Sequence, residues 1–326
     1  MAVQVRWGEK RYHSLDWELQ NLFGEKVYKI TLNGGMTCPN RDGRAGYGGC
    51  IFCSAQGSGD FAGDAAQSIS EQLARGKAQL LKKRPVRSYI AYFQAFTNTY
   101  APVDYLDEIF MEAIRDPEVK ILSIATRPDC LGDDVLRLLS RLNKIKPVWV
   151  ELGLQTIHPD TVRLIRRGYP TEVFDNAVRA LRRIGITVIV HVILYLPGET
   201  EQMMLETLRY LNGCDIQGIK LQLLHVLKGT DLDALYRAEP FHLPDLEEYV
   251  RFLGTCITVL RPDITIHRLT GDGPKDLLTA PLWTSAKRTV LNRFHQYIKE
   301  TDLWQGKEYH GCDVHTLQTD HTIHAE

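Results

Sequence analysis

Cys38, Cys50 and Cys53 fall within sixteen residues, with eleven residues between the first two and two between the second and third. Thiolates are the usual ligands of iron–sulfur clusters, and a short loop lets several reach one cluster. Three protein ligands would leave one iron of a cubane without a protein partner, and an open coordination position is where a metal centre does chemistry. The same stretch carries Gly34, Gly35, Gly43, Gly46, Gly48, Gly49, Gly57 and Gly59, which lets backbone wrap closely around a bulky group. Two other readings stand beside this one. A structural zinc site would need a fourth ligand, which His13 or Cys130 could supply although no spacing pairs either with the trio. Alternatively, the thiols are unrelated members of a glycine-rich loop.

The elements that must position these thiols follow from the pattern of the rest of the chain. Six β-rich runs, at 27–32, 88–93, 120–125, 148–154, 186–194 and 218–224, alternate with helical stretches at 66–83, 103–114, 133–142, 161–167 with 172–184, and 201–211. Such alternation predicts an α/β fold with a parallel sheet, and strands apolar at nearly every position predict a sheet covered on both faces. Past 224 the rhythm loosens: 246–259 reads as a helix, 264–267 as a short strand and 284–299 as a terminal helix. The expected organisation is an N-terminal extension over 1–26, a core barrel over 27–230 that includes the cysteine loop 33–63, and a C-terminal extension over 231–326 packed on the barrel. Its polar tail from about 306, with His310, Cys312, His315, His321 and His324, reads as disordered rather than metal-binding.

The chain has 326 residues, 39 Lys and Arg against 40 Asp and Glu, and a formal net charge of -1. No bulk basic signal for nucleic acid follows from that balance, so a polyanion would need a local patch. Local runs exist at Lys82-Lys83-Arg84 with Arg87, and at Arg163, Arg166, Arg167, Arg179, Arg182 and Arg183. No apolar stretch approaches the roughly 20 residues that span a bilayer, and the opening residues lack the apolar core of a signal peptide. The expectation is a cytoplasmic protein without a membrane partner. In a reducing compartment, clustered cysteines bind metal or do chemistry rather than form disulfides.

Longer motifs carry a resemblance. Cys50-Ile51-Phe52-Cys53 resembles the radical S-adenosylmethionine (SAM) signature, in which an aromatic precedes the third cysteine. The wide first gap is similar to that of the elongator-like branch. Gly35-Met36-Thr37-Cys38-Pro39-Asn40-Arg41-Asp42-Gly43, Gly48-Gly49-Cys50-Ile51-Phe52-Cys53-Ser54, Ala91-Tyr92-Phe93-Gln94-Ala95-Phe96-Thr97-Asn98-Thr99, Ala125-Thr126-Arg127-Pro128-Asp129-Cys130-Leu131 and Trp149-Val150-Glu151-Leu152-Gly153-Leu154-Gln155-Thr156 resemble the YhcC/YtqA (MnmL-like) group, over about residues 10–283. The resemblance implies a partial TIM-like (β/α)6 barrel with terminal extensions. It implies a 4Fe–4S cluster on Cys38, Cys50 and Cys53, with SAM chelating the open iron.

The same resemblance points to residues that contact SAM. Thr97 and Asn98 match the motif that holds its amino group; read from the residues alone they would be a helix N-cap ahead of Pro102. Ala125 stands where the branch carries a glutamate, so Thr126 or Glu151 is expected to take over a ribose contact. Gln155 and Arg167 match a glutamine and an arginine that contact SAM; otherwise Arg167 is a solvated arginine at a helix end. Tyr195-Leu196-Pro197-Gly198-Glu199-Thr200 resembles the adenine-edge motif, which points to Leu196 and Gly198. No general acid or base is legible, although Tyr89, Tyr92, His225, Lys228, His267, Arg268 and Asp272 lie on or near strands.

The implied chemistry is one-electron reduction of the cluster, cleavage of SAM to a 5′-deoxyadenosyl radical, and hydrogen abstraction from an unactivated carbon. The group is linked to conversion of carboxymethylaminomethyl to aminomethyl at the wobble uridine of tRNA. That implies tRNA as substrate, an electron donor such as flavodoxin or ferredoxin, and a downstream tRNA methyltransferase. The competing functions are radical SAM chemistry on a small molecule or protein, a zinc-stabilised nucleic-acid-binding protein, and a non-catalytic iron–sulfur scaffold.

Overall fold

The computed structural model describes residues 6–57, 59, 62–271 and 273–311. In chain order the elements are α1 Leu15–Phe23, β1 Tyr28–Leu32, α2 Ile69–Leu81, β2 Tyr89–Phe93, α3 Val103–Arg115, β3 Val119–Thr126, α4 Asp133–Asn143, β4 Val148–Gln155, α5 Pro159–Leu164 and α6 Thr171–Arg183. They continue with β5 Thr187–Leu194, α7 Glu201–Asn212, β6 Gly218–Leu223, β7 Val226–Leu227, α8 Asp231–Ala238, α9 Leu246–Val259, β8 Thr265–Arg268, β9 Leu278–Ala280 and α10 Lys287–Glu300.

Seven strands form one sheet in the order β1-β2-β3-β4-β5-β6-β8, with every neighbouring pair parallel. The sheet curls into a half-barrel. The six strands expected from periodicity are its first six, and the short strand expected near 264–267 becomes the seventh, paired with β6. A small antiparallel pair, β7 with β9, stands apart from the main sheet.

Strand alternation divides the barrel into an outside and an inside. Val148, Val150, Leu152 and Leu154 of β4, Val188, Val190 and Val192 of β5, and Ile219, Leu221 and Leu223 of β6 pack outward in the main core, against helices such as α6, α7 and α9. The intervening residues point inward and form layers, as in closed barrels. Ile90, Ile121, Trp149 and Ile189 make an apolar lower layer, closed from beneath by Leu19 of α1 and Val27. Above it lies a polar layer. Helix α1 is well specified for this role: Ser14 caps it by accepting from Trp17 N–H, and Gly24 ends it in the left-handed region at φ 70°.

One predicted helix ends early, and the difference matters. The stretch 161–167 was expected to be helical throughout, but α5 stops at Leu164. Arg166 takes φ 55° and Gly168 φ 82°, which turns the chain inward. Arg167 therefore leaves the helix surface and is 1% exposed. Among the described residues no helix is long and apolar enough to cross a membrane.

Candidate active site

The C-terminal ends of the strands surround a cavity of about 270 Å³, walled by Cys38, Cys50 and Cys53 on one side and by barrel-interior residues below. A second, larger groove of about 1900 Å³ runs outside the barrel between α6 and α7. It holds none of the three thiols. Sites in barrels of this kind form at the C-terminal strand ends, so the inner cavity is the site.

The cysteine loop is anchored at several points. Thr97 N–H donates to Thr37 O at 3.2 Å, next to Cys38. Ile51 N–H donates to Ile165 O at 3.3 Å, and Leu232 N–H donates to Ile51 O at 2.9 Å. The Arg41 guanidinium donates to Ser54 O at 2.5 Å and to Cys53 O at 3.4 Å, and lies 5.1 Å over the Phe96 ring. Gly49, at φ 85°, sits in the cavity wall immediately before Cys50, a conformation that L side chains rarely adopt. The loop can therefore present three thiols on a fixed frame. Asn40 adds a contact to one of them: its amide N–H₂ donates to Arg166 O at 2.6 Å and points at Cys50 Sγ at 3.6 Å.

Among the described residues, no set of three His, Cys, Asp or Glu side chains could hold a single metal ion. Neither fourth ligand of the zinc reading reaches the cavity wall. His13 bonds Glu18 at 2.8 Å and stacks on Trp7 at 5.6 Å, under the barrel. Cys130 bonds Asp129 at 3.8 Å, and burial with that carboxylate pushes its thiol up to about 12. Three thiols around a shared cavity suit a larger cluster.

Thr97, Thr126, Glu151, Gln155 and Arg167 share the cavity wall with the thiols, whereas Asn98, Leu196 and Gly198 do not. Thr97 Oγ1 is buried without a hydrogen-bond partner. A buried orphan hydroxyl is costly unless a ligand satisfies it, so this atom fits an amino or carboxylate group placed there. Thr126 Oγ1 lies 2.6 Å from Thr99 Oγ1, which donates to Cys130 O at 2.7 Å. Thr99 has one hydroxyl proton, so Thr126 gives its own to Thr99 and can serve a ligand only as acceptor. Gln155 takes φ 63° at a register shift in β4, which aims it over the cavity.

Three expectations need correction. Asn98 is neither a SAM contact on this wall nor a helix cap. Its amide donates to Ala95 O at 3.0 Å and Ala125 O at 2.8 Å, tying down a bend in which Ala95 and Phe96 both take positive φ. Helix α3 is preceded by Pro102, with no side-chain cap. Arg167 is neither solvated nor an open fork. Its guanidinium donates to Leu154 O, Thr156 O, Tyr169 O and Thr171 Oγ1 at 2.6, 2.7, 3.0 and 3.2 Å, which occupies four of its five N–H groups. It fixes the end of β4. Glu151 is engaged by the protein itself. Its Oε1 accepts from Lys29 Nζ at 2.8 Å and Ser123 Oγ at 2.9 Å, and its Oε2 accepts from His191 Nε2 at 2.7 Å and from Lys220 Nζ. All its lone-pair positions are taken. Leu196 packs with Ile51, Ile165 and Leu224 behind the wall.

Other wall residues escaped the sequence reading or entered it without a role. Arg127 donates twice to Asp129, at 2.9 and 2.7 Å, and to Arg167 O at 2.9 Å. The guanidinium groups of Arg127 and Arg167 lie 4.8 and 4.6 Å from the centre of the Tyr169 ring. Tyr92, His225 and Arg268 line the cavity, Tyr89 turns outward to Val86 O, and Lys228 bonds Asp276 O. Asp272, Cys312, His315, His321 and His324 lie outside the described residues.

The polar layer below the cavity is centred on Glu151, which is 0% exposed. Burial alone would raise its pKa, but Lys220 and Lys29 overcome that and hold it well below the carboxylate range. Burial and Lys220 push His191 down to about 4, so the imidazole is neutral near pH 7 and donates Nε2–H to Glu151. Sequence alternation carries the signal for this layer: Ser123, Glu151, His191 and Lys220 are polar residues between apolar neighbours in buried strands.

The radical SAM superfamily profile matches residues 38–211, and the radical SAM C-terminal domain profile matches residues 216–300. YtqA of Bacillus subtilis (strain 168) is 44% identical over 299 residues, covering 92% of this chain and 93% of that protein. A tRNA uridine(34) acetyltransferase of Methanocaldococcus jannaschii is 23% identical over 160 residues, 48% of this chain and 29% of its own. The structure of Methanocaldococcus infernus Elp3 with an N-terminal deletion superimposes with a TM-score of 0.65 at 16% identity, over 86% of this chain and 64% of that one; it shares the fold. The chain thus belongs to the radical SAM superfamily, in the elongator-like group of YtqA and YhcC, and its cofactors are SAM and a 4Fe–4S cluster.

Proposed function

We propose that this enzyme acts on the wobble uridine of tRNA, converting a carboxymethylaminomethyl substituent to aminomethyl ahead of methylation by a partner enzyme, with SAM as the two-electron oxidant, spent to 5′-deoxyadenosine and methionine, and the two-carbon unit leaving as glyoxylate when the oxidised arm is hydrolysed. The observation that carries this reading is one cavity with three thiols at its rim and a cation-rich polar layer at its floor. A relative named for tRNA uridine(34) supports the substrate class. In this reading Cys38, Cys50 and Cys53 hold the cluster, Thr97 and Gln155 meet SAM, and Thr126 accepts from a hydroxyl. Bound there, the cluster and SAM supply a radical that removes hydrogen from an unactivated carbon. The barrel orients the substrate arm and excludes water, and a flavodoxin or ferredoxin would deliver the electron.

Asn40 has a specific part in this scheme. An amide N–H directed at a ligating sulfur stabilises added negative charge on the cluster. Asn40→Ala is expected to lower the cluster's reduction potential while leaving iron content unchanged; potentiometric titration followed by electron paramagnetic resonance checks this. An unchanged or raised potential would count against the assignment.

The test of function is 5′-deoxyadenosine production by anaerobically reconstituted, reduced protein with SAM, with and without tRNA carrying the carboxymethylaminomethyl group. Strong stimulation by that tRNA, with loss of the carboxymethyl mass from the nucleoside, is the expected result. A second reading, radical chemistry on a small molecule, is favoured by the surface. The arginines of 163–183 do not form one basic face: Arg167 is buried, Arg166 pairs with Asp231 at 2.5 Å and Arg182 with Asp215 at 3.0 Å. The run Lys82–Arg87 precedes β2, at the end of the barrel away from the thiols. Production indifferent to tRNA would select this second reading.

A further inference from the structure

The polar layer holds two ammonium groups against one carboxylate. Glu151 pairs with Lys29 at 2.8 Å and with Lys220, and no other ion pair is formed by either lysine among the described residues. Lys220 is 3% exposed; its ammonium also meets the Tyr92 hydroxyl at 3.2 Å and lies 4.6 Å over that ring. His191, held neutral, adds no further positive charge to the layer. The layer therefore holds more ammonium than carboxylate, and Arg268 is a further cation on the same wall.

An ammonium buried beyond its counter-charge is unfavourable, and it either loses its proton or acquires an anion. Burial lowers the Lys220 pKa despite the pull of Glu151, so an anion arriving beside it would restore the charged form. Lys220 and His191 face the cavity, and Glu151 is the sole carboxylate among the described residues of its wall. The arginines nearer the rim are already matched: Arg127 by Asp129 and Arg167 by main-chain oxygens. Gln222, one inward step above Lys220, accepts from Arg268 at 3.4 Å and keeps its N–H₂ as a donor on the same wall.

Depth restricts the ligand. Lys220 is in register with His191 and, across it, with Gly153, two residues below Gln155 and about 7 Å down the strand, so a group on a short arm reaches it. We infer that Lys220, backed by Glu151 and Lys29, is the recognition point for a carboxylate carried on a flexible arm of the substrate. This rests on the carboxymethylaminomethyl reading above and assigns that arm's terminal carboxylate to the floor of the barrel.

The experiment is equilibrium binding to the reconstituted protein with SAM and no reductant. The probes are anticodon stem-loops carrying carboxymethylaminomethyl- or aminomethyluridine, and the two free nucleosides. The wild type is expected to prefer the carboxylate form by about 10- to 100-fold, the worth of one charge-assisted contact. Lys220→Met should lose the preference, keep its affinity for the aminomethyl form and bind SAM as before; Lys220→Gln is the second variant. Should neither variant fold, the two ligand pairs on the wild type decide alone. Equal affinities within both pairs would overturn the carboxylate site, as would a preference that survives in Lys220→Met or an equal loss of SAM binding. Discrimination between the nucleosides with no RNA binding would uphold the site and overturn the tRNA substrate.

Discussion

Replacing Cys50 by Ala is expected to abolish 5′-deoxyadenosine production and to lower bound iron and sulfide sharply. The residue lies in a loop pinned on one side by Ile51, to Ile165 and to Leu232, and on the other by Gly49 N–H donating to Asn40 O at 2.8 Å, so losing one sulfur removes a ligand without removing the frame. Helix content and thermal unfolding should stay near wild type. Cys38→Ala and Cys53→Ala should behave alike, because three ligands are the minimum that leaves a single iron open for SAM. Cys130→Ala is the control: its thiol faces Asp129, off the cavity wall, and its cluster content should match wild type. Iron and sulfide analysis of the four variants checks the assignment. Equal loss in Cys130→Ala, or full retention in Cys50→Ala, would mean that the thiols were assigned wrongly.

Glu151→Leu is expected to destabilise the fold by about 3–5 kcal/mol, the range for breaking a buried ion pair on one side. The carboxylate is fully buried and accepts from Lys29, Ser123, His191 and Lys220. Removing it strands two ammonium groups and leaves four donors without an acceptor. Lys220→Met should cost far less, because Lys29 and Glu151 remain matched. The pH dependence has a definite sign. The folded pKa of Glu151 lies well below its ordinary value of 4.5. Its contribution is therefore complete above about pH 4.5 and is lost as pH falls from there through the folded value. Denaturant titrations of wild type and Glu151→Leu from pH 7 to pH 3 should show a constant gap that narrows below about 4.5. A gap that widens on acidification would contradict the proposed state of the carboxyl.

The cysteine spacing and the flanking motifs are local, so they can be read in order along the sequence, and the structure brings the three thiols to one cavity. Strand–helix alternation is equally local, and its first six strands appear in the sheet in sequence order. Even the seventh strand, read only as a short isolated run, is placed by pairing with β6 rather than by its own composition. A four-residue strand has too little pattern to declare its partner.

Side-chain roles were decided by the tertiary structure. Arg167 read as an available fork because a guanidinium at a helix end ordinarily meets water; the turn at Arg166 and Gly168 instead buries it against the carbonyls at the end of β4. Asn98 read as a ligand contact or a cap, yet two main-chain oxygens from different strand ends occupy its amide. Glu151 read as a free carboxylate until β1, β3, β5 and β6 each supplied it a donor. The sequence by itself determined the thiol trio, the parallel sheet and the family, because ligand type, periodicity and motif order are properties of neighbours along the chain. Which polar groups remain open to a ligand depends on residues far apart in the chain, such as Lys29 and Glu151, 122 positions apart, and Tyr92 and Lys220, 128 apart. Hydrogen-bonding capacity is finite and is filled by whatever folding brings near, so only the closed barrel decides it.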